Sequence, residues 1–166
     1  SLANGVYSFA FGGTASGTAA VNLLGGTASG ERSLAVGFRS SATKYGQKAF
    51  ASGRFAADGD AQGSIFILRS DTTNATAEAM TTNNSTAAAT NQIILPDNSA
   101  YAFHGTIVAR QQASQGAACA AWKIEGLIRS TTGPTVLVNS ATTVLDNTPS
   151  WGMALSADTT NGGLKI

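Results

Sequence analysis

Charge is scarce in this chain: only 11% of its 166 residues are Asp, Glu, Lys or Arg, and the net charge is +1. No global field therefore exists to gather nucleic acid or an anionic membrane, and neither partner is expected. The one cysteine, Cys119, excludes an intrachain disulfide. It lies in Ala117-Ala-Cys119-Ala-Ala121, where an unpaired thiol is expected to pack as a small buried hydrophobe. A catalytic thiol would need a base, and the one histidine, His104, falls on a different predicted strand. With no second His or Cys near it, His104 reads as a solvated or interface residue, and no metal site is expected.

Other absences narrow the field further. No apolar run reaches 18 residues, and neither a signal peptide nor a lipidation motif is present, so no membrane insertion is expected. No stretch sustains a 3.6-residue apolar period, which argues against helices. The nucleophile-elbow, zincin, CxxC and phosphate-loop patterns are all missing. Of the nine carboxylates, Glu31, Asp58, Asp60, Asp71, Glu78, Asp97, Glu125, Asp146 and Asp158, only Asp58 and Asp60 form a close pair. They read as turn caps at a domain junction, although a cation bound in an oligomer would also suit them. The expectation is of no catalytic residue, no cofactor and no enzyme activity. The sequons Asn83-Asn-Ser85 and Asn84-Ser-Thr86 carry meaning only in a eukaryotic secretory route.

What is present is a repeat. The pattern A-x-G-x-x-[S/A]-x-A-x-G appears at Ala28-Ser-Gly30-Glu-Arg-Ser33-Leu-Ala35-Val-Gly37 and at Ala3-Asn-Gly5-Val-Tyr-Ser8-Phe-Ala10-Phe-Gly12. A further copy is read at Lys44-Tyr-Gly46-Gln-Lys-Ala49-Phe-Ala51-Ser-Gly53. In the looser copy from Ala15 through Gly17 to Gly25, one residue has been added between the glycines. The closing glycines Gly12, Gly25, Gly37 and Gly53 are 13, 12 and 16 residues apart. That is too short for a helix pair and fits a solenoid coil of two short strands and two turns. The widening from Phe38 to Tyr45 reads as a longer corner loop.

Small residues alternate in these coils with Phe9, Phe11, Leu34, Val36 and Phe50, a period of two that puts the two classes on opposite faces of a strand. The small face must be a tight interior. The large face is apolar as well, and three chains around one axis could bury it against each other. A disordered Gly/Ala/Ser linker would have no reason to hold bulky residues in such register.

These repeats resemble the head repeats of trimeric autotransporter adhesins, the left-handed parallel β-roll also found in bacteriophage tail fibres. The resemblance spans residues 1 to about 59 and implies an elongated homotrimer with an adhesive or fibrous role.

Twelve of the 19 glycines lie in residues 1–63, while Pro96, Pro134 and Pro149 all follow. Two domains are therefore expected, a roll over 1–59 and a second over 60–166, joined at Gly59-Asp-Ala-Gln-Gly-Ser64. Ile65-Phe-Ile-Leu68 reads as a strand buried on both sides or at a trimer axis. Further strands are expected over 64–70, 77–81, 92–95, 100–110, 117–129, 135–139, 142–145 and 151–157, with 71–90 the least regular part. Breakers at Asn83, Pro96, Gly133 and Asp146 separate them. An antiparallel sandwich or jelly roll is the expected fold of this part. Phe103, Gly105, Ile107 and Ala109, with Trp122, Ile124, Gly126 and Ile128, are its expected core faces, and Trp151, Met153, Leu155 and Ala157 share another. Trp122 and Trp151 read as core residues ahead of sugar-stacking platforms.

Gly59-Asp-Ala-Gln62, Ile67-Leu-Arg69, Leu95-Pro-Asp-Asn98, the run Phe103 to Arg110 and Ala121-Trp-Lys-Ile-Glu-Gly126 resemble a C-terminal β domain of tailed-phage tail-fibre proteins. That resemblance implies a place on the virion, with other tail or baseplate proteins as neighbours and a bacterial surface glycan as receptor. The alternatives are the head of a bacterial trimeric adhesin and a polysaccharide depolymerase with its site between subunits. Both ends read as cut: Ser1 falls inside a repeat, and Ile166 follows a hairpin turn at Asn161-Gly-Gly163.

The expected structural glycines are Gly5, Gly12, Gly17, Gly25, Gly30, Gly37, Gly46 and Gly53. Half of the basic residues, Arg32, Arg39, Lys44, Lys48 and Arg54, gather late in the roll, where they read as a solvated face or as a basic ring for acidic sugars. The candidate surface contacts are Arg39, Lys44, Tyr45, Arg54, His104 and Arg110.

Overall fold

The structure, a computed structural model, describes residues 1–112 and 117–166. It is all-β, with no helix among the described residues, and divides into two compact units, Ser1–Ile93 and Ile94–Ile166.

The first unit is a β-solenoid-like stack. Its strands alternate between two sheets: β1 (Leu2–Ala3), β2 (Phe9–Phe11), β3 (Thr14–Ala15), β4 (Val21–Leu23), β5 (Thr27–Ala28), β6 (Leu34–Val36), β7 (Ser41–Ala42) and β8 (Lys48–Phe50). β1, β3, β5 and β7 pair in parallel in one sheet, and β2, β4, β6 and β8 in the other. A ninth strand, β9 (Gly63–Ile65), adds to β8 antiparallel and ends the parallel stack. The apolar interior is built of alanine, with Ala15, Ala20, Ala28, Ala35, Ala42 and Ala49 buried in one cluster, and Asn22, Ser33 and Ser40 of the same coils are buried as well. The inward position of each three-residue strand holds a small side chain, alanine in β2, β6 and β8 and the buried Asn22 in β4, and the larger partners on each strand point outward.

The corners explain the uneven repeat. Between Ala3 and Phe9, Ala15 and Val21, Ala28 and Leu34, and Ala42 and Lys48, the chain always uses five residues. The opposite corner grows from two residues (12–13) to three (24–26) to four (37–40). The extra residue of the looser copy therefore sits at Leu24–Gly26, and the widening after Gly37 is one further residue at the same corner.

This pairing corrects the copy read from Lys44. Ala42, not Lys44, pairs with Ala28, and Ala49 pairs with Ala35, so the true copy starts two residues earlier. Gly46 then falls where Tyr7, Ala19 and Arg32 have φ of 58°, 54° and 54°, and takes φ 66° itself. Lys44 takes the place of Gly5, Gly17 and Gly30. In those three a Cβ would strike the carbonyl of the next coil, at Gly17, Gly30 and Lys44 respectively. Lys44 lies in the last parallel coil and needs no such clearance.

The expected domain boundary at 59/60 also moves, because residues 60–92 fold onto the last coil. The side-chain amide of Gln62 acts as a surrogate peptide on β7: its Oε1 accepts from the Ser41 N–H (2.8 Å) and its Nε2 donates to the Ser41 carbonyl (3.0 Å). Gln47 Nε2 donates to Ser64 Oγ (2.9 Å), and the Tyr45 N–H to the Thr90 carbonyl (3.3 Å). The strands expected over 64–70 and 77–81 reduce to β9 and a single antiparallel bridge, Arg69 to Thr81. Nor is Ile65-Phe-Ile-Leu68 buried within the chain, where Ile65 and Ile67 are exposed. After β9 this segment has no strand partner to hold it in a sheet.

The second unit holds β11 (Ser99–Arg110), β12 (Cys119–Ser130) and β13 (Val136–Asp146) as an antiparallel meander. A smaller sheet runs in the order β10 (Ile93–Ile94), the strand at which the division falls, then β15 (Gly163–Lys165) and β14 (Ser156–Asp158), with β14 and β15 antiparallel about the Asn161-Gly-Gly163 turn. The two short strands expected over 135–145 are one, β13, and the strand expected over 151–157 shrinks to β14. Ile107, Trp122, Ile124 and Ile128 are buried on the expected face, with Leu95 and Leu164 also buried. Trp151, Met153, Leu155 and Ala157 are half-buried while Gly152, Ala154 and Ser156 between them are exposed.

Candidate functional surface

The outer face of the second roll sheet carries two rows set by strand register, Phe9, Val21, Leu34, Lys48 and Ile65, and Phe11, Leu23, Val36 and Phe50. Lys48 is the one charge in it. Phe9, Phe11 and Phe50 are 55%, 62% and 62% exposed, on strands whose inward residues are the alanines Ala10 and Ala49. So wide an apolar face marks an interaction surface.

Among the candidate contacts, Arg39 and Arg54 are brought together. Both reach Asp58 Oδ1, Arg54 at 2.6 Å and Arg39 at 3.6 Å, and the Arg39 guanidinium also stacks on Phe38, 4.7 Å from the ring centroid. Lys44 and Tyr45 are sequence neighbours with separate partners. Lys44 Nζ donates to the Ala89 carbonyl (3.0 Å), and partial burial there holds its pKa below the usual lysine value. The Tyr45 hydroxyl accepts from Arg32 Nη1, whose guanidinium lies 5.5 Å from the ring centroid. These basic groups thus serve their own chain in part.

Asp60 organises the loop beside them. Its carboxylate accepts from the N–H groups of Phe55 (2.8 Å), Ala56 (2.6 Å) and Ala57 (2.7 Å). The amides of Ala57 and Ala56 chiefly hold its pKa below the ordinary carboxylate range, with smaller help from Phe55 and Arg54. The Asp58/Asp60 pair is therefore divided between two arginines and three amides. No group of three or more His, Cys, Asp or Glu among the described residues is placed to hold a metal ion.

His104 and Arg110 lie in the other unit, on the exposed face of β11. His104 stands opposite Glu125 and lines an open groove of about 400 Å³ with Thr106, Lys123, Glu125, Ala141 and Thr143. Burial raises the pKa of Tyr101 on the opposite face of β11. Cys119 corrects the expectation of a buried thiol: it is exposed and pairs across the sheet with Arg110. Its parity explains this, since it stands an odd number of residues from the buried Trp122. Among the expected structural glycines, Gly12, Gly25 and Gly37 have positive φ, whereas Gly53 has neither positive φ nor a close neighbour.

Sequence reasoning missed Phe55, 90% exposed beside Arg54, and the exposed corner residues Tyr7 and Phe38. The turn context of Phe55, between Gly53 and Gly59, was the available signal. No helix among the described residues is long and apolar enough to cross a membrane. Comparisons with family models, with curated proteins and with solved structures found no match to this chain.

Proposed function

We propose that this chain is a structural and receptor-binding segment of a homotrimeric phage tail fibre, facing the host surface and attaching the virion to a bacterial surface polysaccharide. The observation that supports this reading is the roll's outer face, with three phenylalanines in water over an interior of alanines and the buried Asn22. A face of that kind is stable when copies of the same chain cover it, and a stack of coils capped by Gln62 at one end is the construction of a fibre. The sequence resemblance to tail-fibre domains supplies the virion setting. The head of a bacterial trimeric adhesin is the second reading, supported by the same solenoid-like coils.

Light scattering on the native chain tests the assembly: a mass of three chains is expected, and a single-chain mass at all concentrations would overturn it. Phe50→Asp places a charge in the covered face and is expected to weaken association by about tenfold or more. Because Phe50 is exposed within one chain, the roll itself should still fold. Retention on immobilised bacterial surface polysaccharide tests receptor binding, and appearance of new reducing ends would replace attachment by depolymerisation.

A further inference from the structure

The meander of the second unit has two free edges. β11 and β13 each pair with β12 alone among the described residues, so each presents one row of backbone groups with no strand opposite. Natural edges of this length are ordinarily blunted by Lys, Pro or a covering segment. β13 has none of these side chains: Val136-Leu-Val-Asn-Ser-Ala-Thr-Thr-Val-Leu-Asp146 holds its single charge at the last position. Only Leu137 is partly covered along its eleven residues. One edge amide, that of Ser140, donates to Asn139 Oδ1 (2.8 Å).

The core face is also left open at this strand. Val144 pairs with Trp122, and Thr142 with Ile124; the β12 residues are buried and the β13 residues are not. Val136, Val138, Val144 and Leu145 are 40–58% exposed, on both faces of the strand. Something apolar and strand-like fits beside β13, and it needs no complementary charge.

We propose that β13 pairs in parallel with β11 of a second copy, so that three copies join their meanders into one closed ring. The two free edges match in length, twelve residues against eleven. Both strands run antiparallel to β12, so they run parallel to each other, and rotation about a threefold axis preserves that direction. A heterologous edge contact repeated around the axis closes and leaves no edge open. This rests on the homotrimer reading and assigns to it a second interface, separate from the phenylalanine face of the roll.

Hydrogen–deuterium exchange on the full native chain tests it, read on peptides covering residues 99–110 and 136–146, with mass measured alongside. The expected result is a three-chain mass with β11 and β13 amides protected as well as those of β12. The double variant Val138→Lys, Leu145→Lys alters exposed side chains only. It is expected to speed exchange in both β11 and β13 by about tenfold or more, leaving β12 and the roll protected. A three-chain mass with fast exchange along β13 in the native chain would overturn the edge pairing while leaving the trimer. A two-chain mass, as an antiparallel β13 pair would give, overturns the ring, and a single-chain mass overturns both readings. Protection of β13 that the double variant does not change also overturns the proposal.

Discussion

At Gly46 the backbone takes φ 66°, a conformation that costs a side chain about 1–2 kcal/mol. Tyr7, Ala19 and Arg32 bear that strain at the same corner position; Gly46 does not. Gly46→Ala is therefore expected to lower stability by about 1 kcal/mol, whereas Gly53→Ala should stay within about 0.5 kcal/mol. Thermal or urea unfolding of the two variants checks this, and equal losses would remove the distinction. Asp60 makes a pH prediction. Its folded pKa is depressed, so its contribution is complete above the unfolded carboxylate value and is lost as pH falls through the lower folded one. The amide chemical shifts of Ala56 and Ala57 should titrate with a midpoint below that of an ordinary aspartate, and a midpoint at or above the ordinary one would contradict the three-amide site. Neither effect was fully legible beforehand. The glycine spacing selected Gly46 and Gly53 alike, because sequence pattern records residue type and not φ.

At the scale of the element, alternation carried most of the information. Small-large alternation in β2, β6 and β8 places alanine inside and the large residues outside, and the same reasoning put Trp122, Ile124 and Ile128 in the core of β12. Applied to Cys119, that parity points outward, where the thiol is found; the alanines around it suggested burial only as composition. The interior of the roll predicts a sharp size limit. Ala28→Leu should cost about 1–3 kcal/mol or more, because the opposed sheet cannot retreat without breaking ladder bonds. A melting temperature unchanged in that variant would show that the coil can open, and the argument for outward phenylalanines would fail with it. Strand length was harder to read. β13 runs through Asn139-Ser-Ala141, a stretch that looks like a turn by residue type, because pairing with β12 fixes its conformation from outside.

For the whole molecule, the two units pose different association problems. The roll exposes side chains, and the meander exposes a strand edge. The proposed trimer answers both, and the two tests separate them: Phe50→Asp acts on the first, and the lysine pair in β13 on the second. The division between Ile93 and Ile94 also changes where a fragment should be cut. A boundary at 59/60 would strip Gln62 from Ser41 and leave the last coil with an open edge.

The sequence by itself determined the class of structure: absence of helical period, glycines at coil spacing and period-two alternation favour strands, with small residues on the inner face of the coils. It also determined where the phenylalanines must go, since side-chain volume alone excludes them from the interior. The tertiary structure decided the register of the last coil, the domain boundary, the division of Asp58 and Asp60 between arginines and amides, and the length of β13. Each of these depends on contacts between residues far apart in the chain, and local residue type does not encode which distant backbone group will stand opposite.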